Sequence, residues 1–161
     1  VSAFAQAWGM LDLSEVRRAM PDNLVWKYAA PTKDPAVLEE RRRLNQSWEK
    51  LYAKVYSNTA SEKEVNDYYA HQQQRSADYI EFTTHIIDQH EADLRDQDLQ
   101  LLHLARRMHT ARLQEIPRRQ ADALARRAAH AQARQDWREK QERFSSDGID
   151  ENLNDEKDGD D

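Results

Sequence analysis

From Ser61 to Glu115 the chain runs without a single glycine or proline. A stretch of that length with no turn or stop residue is helix almost throughout. Along it Ile80, Ile87, Leu94, Leu101 and Met108 recur at seven-residue spacing, the mark of a seam that faces a neighbouring helix. Two forms satisfy the pattern. One is a single helix of about 55 residues, roughly 80 Å long at 1.5 Å per residue. The other is two helices joined by a tight bend in the acidic run of Asp88, Glu91, Asp93, Asp96 and Asp98. The unbroken heptad favours the first, and the acids, which complement the positive end of a helix dipole, favour the second.

The rest of the chain suits long helices that each bury a narrow stripe. It has only 3 Gly and 4 Pro in 161 residues, 34% charged residues and a mean hydropathy of −1.06. That polarity is high for a thick core and ordinary for an elongated all-α protein. There are no cysteines, which removes disulfides, thiolate metal sites and cysteine nucleophiles. No apolar run approaches the roughly 18 residues that span a bilayer. Near the start, Ala5 and Ala7 stand in the Ala-x-Ala arrangement before Trp8, which resembles the end of a bacterial secretory signal and implies a periplasmic or secreted location.

Taken in order, Leu11 to Met20 reads as a short helix with Ser14 as its N-cap and Pro21 closing it. Leu24 to Tyr28 alternates apolar and polar residues with no second strand to pair with, so it is expected as an extended strap across helices. Asp34-Pro35 opens a helix to about Ser57, with Val37, Leu44, Trp48, Leu51 and Val55 on its inner face and Glu39 to Arg43 on its water side. Ser61 and Glu64 form a capping-box pattern after a short turn, so the next helix returns antiparallel. Its inward face is Val65, Tyr68, Tyr69, Tyr79, Ile80, Phe82, Ile86 and Ile87, interrupted by the polar His71 to Arg75. Pro117 predicts a kink or turn. Beyond it a helix to about Phe144 presents Ala121, Leu124, Ala128, Ala131 and Trp137 inward. From Ser145 to Asp161, eight acids against Lys157 predict a disordered tail.

Charge is divided sharply along the last third. Between His103 and Arg134 lie Arg106, Arg107, Arg112, Arg118, Arg119, Arg126, Arg127 and Arg134 against Glu115 and Asp122, while the tail is acidic and the whole chain is −6. Guanidinium pairs with carboxylate and phosphate, so these eight arginines are the candidate partner-binding residues, unless the tail folds back to screen them. Nucleic acid is disfavoured because no aromatics interleave the arginines. The histidines His71, His85, His90, His103, His109 and His130 include no Glu-x-x-His or His-x-x-x-His pair. Glu81, His85 and Asp88 supply only a fragment of a metal site. Asp150, Asn152 and Asn154 start like a calcium loop, but Asp155 stands where such a loop needs glycine. No phosphate loop or catalytic signature is present, so no catalytic residue and no cofactor are assigned. The aromatics Trp26, Tyr28, Trp48, Tyr52, Tyr56, Tyr68, Tyr69 and Tyr79 read mainly as core, with some left outward as a groove.

The expected fold is therefore all-α: an elongated antiparallel helical hairpin or bundle with long coiled-coil-like helices and a disordered acidic tail. Residues 1–10 form a leader remnant or flexible N-terminus, and 11–144 a helical domain with helices at about 14–20, 35–57, 61–115 and 117–144. Residues 145–161 form the tail. The leading functional expectation is a non-catalytic exported protein that binds a protein partner through helix surfaces, as an oligomerisation scaffold or a holdase-like chaperone. The alternatives are a cytoplasmic coiled-coil adaptor that docks an anionic partner on the arginine helix, and a helical metal-binding protein. In shape, compartment and charge the chain is similar to the small all-helical periplasmic chaperones of the Spy type, in architecture alone. Their Leu-Thr-x-x-Gln repeat is absent, and Leu113-Gln-Glu-Ile-Pro117 does not match it.

Overall fold

Four helices of this chain start where a side chain takes up a free N–H group. In a computed structural model that describes residues 8–155, with side chains to 147, five α-helices and one 3-10 turn follow one another, and no strand is found among the described residues. Helix α1 spans Leu13–Ala19, and Asp12 caps it by accepting from the Ser14 and Glu15 amides, two residues earlier than the Ser14 cap expected. Helix α3 spans Pro35–Tyr56 with Asp34 capping Ala36 at 2.9 Å, and α4 spans Glu62–His90 behind the Ser61–Glu64 capping box, both as expected. The link between them turns on Asn58, whose φ of 62° places it in the left-handed region that asparagine tolerates.

Leu24 to Tyr28 is not an extended strap. Val25–Tyr28 forms a short helix, α2. Side chains satisfy its first amides: Asn23 Oδ1 accepts from Val25 at 2.9 Å, and Asp78 Oδ2 on α4 accepts from Leu24 at 2.8 Å. Arg41 closes the other end by donating to the carbonyls of Trp26, Lys27 and Ala30. That residue was expected on the water side of α3, but free carbonyls at a helix C-terminus are a natural partner for a guanidinium.

The long glycine-free stretch is two helices. After His90 a 3-10 turn covers Glu91–Asp93, Leu94 goes extended, and α5 runs Asp96–Asp155. Of the acids, Asp96 and Asp98 serve as the first turn of a new helix, with Arg95 forking onto Asp98 at 2.7 and 3.1 Å. The heptad does not survive the corner. Leu94 is buried in it, but Leu101 is only half-buried and Met108 is exposed, because the inward line of α5 shifts by one residue to Leu102, Ile116 and Ala123. A corner lets the two apolar stripes cover each other, which a single rod cannot do.

Two apolar cores result. The larger joins Trp8, Val16, Met20 and Val25 to Phe82, Ile86, Ile87, Leu94 and Leu102. Trp8 stacks on Phe82 at 4.9 Å and Trp26 meets it edge-on at 6.0 Å. The smaller joins Val55, Ala60, Val65 and Tyr69 to Ile116 and Ala123 at the other end. On α3 the expected face is correct in position, yet of Val37, Leu44, Trp48, Leu51 and Val55 only Val55 is fully buried.

Pro117 does not end the helix; α5 continues through it. The expected inner face beyond it is displaced accordingly. Leu124 packs inward as expected, but Ala121, Ala128 and Ala131 are exposed, and Ala123 and Arg127 turn inward in their place. Helix α5 also continues to Asp155, into the stretch expected as a tail. The side chains from 148, including the calcium-like Asp150, Asn152 and Asn154, and all of 156–161 lie outside the described residues, as does the Ala5–Ala7 segment.

Candidate interaction surfaces

The arginines of α5 do not make one face. At 3.6 residues per turn, Arg112, Arg119 and Arg126, each seven apart, share one flank. Arg107 and Arg118 lie on the side away from α4, and Arg127 and Arg134 fall on the line that faces α4. Arg127 is half-buried there and donates Nε to the Ala60 carbonyl at 3.0 Å, stapling the α3–α4 turn to α5. Arg106 is half-buried beside His103 Nδ1 at 3.3 Å. Arg119 pairs with Glu115 at 2.8 Å. The eight candidates therefore divide between a stapling role, a helix ion pair and open flanks.

The arginine flank runs beside aromatic rings. Arg119 and Arg126 border a shallow recess with Tyr52, Tyr56 and Tyr69, where Tyr56 is 73% exposed. Burial raises the Tyr69 hydroxyl pKa, and the nearby Arg126 and Arg119 oppose that shift. The tyrosines thus split between core and surface. Tyr69 is buried, Tyr52 and Tyr56 face out, and Tyr52 packs on Tyr68 at 5.6 Å.

Beyond His130, α5 leaves the bundle. Every residue from 131 to 147 is exposed, roughly 25 Å of helix at 1.5 Å per residue. Trp137, expected inward, is 63% exposed and Phe144 is 84% exposed. Both continue the seven-residue line of Leu102, His109, Ile116, Ala123 and His130, whose earlier members turn toward α4. The inward stripe simply outruns its partner, because α4 begins at Glu62 and its turn reaches α5 near Arg127. Gln132 to Asp136 at 3.0 Å, Gln135 to Glu139 at 3.3 Å and Arg143 near Glu139 at 4.0 Å support the arm along its own length. Its geometry also limits charge screening within one chain. Asp147 sits on the same helix roughly 20 Å past Arg134, more than two Debye lengths at physiological salt.

Four of the six histidines are packing groups with an unmet ring nitrogen. His71 stacks flat on Trp48 at 3.7 Å, and burial lowers its pKa to about 4, with Arg75 and Lys27 adding to the shift. His71, His85 and His90 each bury an Nε2 without a partner, and His109 so buries Nδ1. His85 and His90 lie 5.8 Å apart, but no cluster of three or more His, Asp or Glu side chains able to hold a metal occurs among the described residues. No described helix is long and apolar enough to cross a membrane.

One structural residue escaped the sequence reading. Asp78 is buried on α4 and accepts from Leu24 N and Gln74 Nε2, both at 2.8 Å, while its carbonyl accepts from Asn23 Nδ2. Its place four residues after Gln74 was visible, but its partners 54 and 55 residues away were not. Comparison with known protein families, curated proteins and solved structures finds no match for this chain.

Proposed function

We propose that this protein is a non-catalytic helical scaffold that assembles through the projecting arm of α5, and that the arm's partner is the arm of a second copy. The observation that supports this reading is the uncovered continuation of a buried heptad line, with Trp137 and Phe144 at 63% and 84% exposure on it. Large aromatics held on a preformed helix bind at low entropic cost, since the backbone is already ordered.

Charge order argues for a second copy laid antiparallel. Arg126, Arg127 and Arg134 precede the two aromatics, and eight acids against one lysine follow from Asp147 onward. Antiparallel pairing sets the basic end of one arm against the acidic end of the other and Trp137 against Phe144. Parallel pairing sets like charge on like charge. Export is part of the same proposal and rests on Ala5 and Ala7 ahead of Trp8.

Sedimentation equilibrium of the full chain tests the assembly: a dimer is expected, and Trp137→Ala with Phe144→Ala makes it a folded monomer. A wild-type chain that stays monomeric at 100 μM defeats the second-copy reading. Fractionation of native cells tests export, and purely cytosolic protein defeats it.

A further inference from the structure

Between the two apolar cores the bundle has a polar waist, and a cleft of about 450 Å³ opens there between α4, α5 and the end of α2. Arg75 and Gln72 come from α4 and His109 and Arg112 from α5. The Tyr79 ring makes a wall, and no carboxylate lines the space. Arg75 is held over Tyr28 at 4.7 Å and over Tyr79 at 6.0 Å by cation–π contact, and neither Arg75 nor Arg112 has a hydrogen bond or ion pair with any described side chain. On a chain with 30 acids against 24 basic residues, two unpaired guanidiniums converging on one acid-free cleft are a specific arrangement.

We infer that this cleft binds a small organic anion, with a carboxylate or phosphate head held between Arg75 and Arg112 and a flat body laid along the Tyr79–His109 wall. Guanidinium groups offer paired donors in the geometry these heads accept. The wall is flat because His109 stacks on Tyr79 at 4.8 Å with only 10° between the planes. The volume is that of an ordinary small-molecule site. His109 also buries an Nδ1 with no partner, a polar atom that a ligand oxygen would satisfy. Burial first, then Arg112 and Arg75, hold its pKa below the ordinary value, which places both guanidiniums near the ring. This site is separate from the projecting arm, and its test does not depend on assembly.

Isothermal titration of the full chain with phenyl phosphate, benzoate and inorganic phosphate tests it. Saturable binding of phenyl phosphate or benzoate at one site per chain is expected, and the tighter of the two names the head group. Inorganic phosphate should bind at least tenfold more weakly. Arg112→Gln, at an exposed position, should weaken the organic anion at least tenfold, while Arg18→Gln on α1 leaves it unchanged. Circular dichroism confirms that each variant is folded. No saturable binding of either organic anion at 5 mM overturns the inference. So does equal binding by folded Arg112→Gln, or inorganic phosphate binding as tightly as phenyl phosphate.

Discussion

The same helix behaves in two ways on either side of His130. Up to that residue the inward line of α5 is Leu102, Ile116 and Ala123, each buried against α4 or its turn. Past it the line carries larger side chains, Trp137 and Phe144, and leaves them in water. Burial here follows the reach of the partner helix and not the hydrophobicity of the residue. A strong apolar position is core only where a second surface arrives, and where none arrives the same position becomes a contact waiting for one.

The contrast is broken most directly by truncating side chains on each part. Phe82→Ala, opposite Leu102 in the larger core and 1% exposed, should cost about 3–5 kcal/mol in urea unfolding. A loss near 1 kcal/mol would mean the large core is loosely packed. Pro117→Ala should return an amide donor to the Leu113 carbonyl and raise stability by about 1–3 kcal/mol. No gain would show that the helix bends to absorb the ring.

Acid sharpens the comparison, because the waist beside the buried half of α5 carries the histidines with lowered pKa, His71 and His109, and the arm does not. His71 keeps a folded pKa of about 4 against an ordinary 6.5. Between those values the unfolded chain takes up a proton that the folded chain refuses. Stability contributed by the neutral ring is therefore complete above pH 6.5 and lost as pH falls toward 4. The thermal midpoint should drop by a few degrees over that window, and His71→Gln should flatten that part of the profile. An unchanged slope in the variant would assign the acid sensitivity elsewhere.

The smallest effect belongs to the arm. Removing residues 131–161 should change the unfolding free energy of a monomer by no more than about 0.5 kcal/mol, as expected for an uncovered surface. The same deletion should abolish self-association in sedimentation. A large stability loss would show that the arm folds against the bundle.

How much was legible depended on the distance over which each decision is made. Asp34-Pro35 and the Ser61–Glu64 box act within four residues, and both caps stand where the sequence puts them. The inner face of α3 was also visible as periodicity. The corner after His90 was legible only as one of two forms, marked by the acids but by neither glycine nor proline. It forms to bring Phe82 and Ile86 over Leu102, a contact across the hairpin. Likewise the strap became a helix because Asp78, 54 residues on, takes up the Leu24 amide. The candidate arginines were legible as a charge run, but their division into staple, ion pair and open flank was not.

By itself, then, the sequence determined that the chain is all-α, where α3 and α4 start, and how charge is ordered along it, since caps, propensity and composition act locally. Tertiary structure alone decided where the rod bends, which line of α5 is buried, and that Trp137 and Phe144 stand free. Those outcomes depend on how far one helix extends beside another, and a length comparison between distant segments is written in no single stretch of residues.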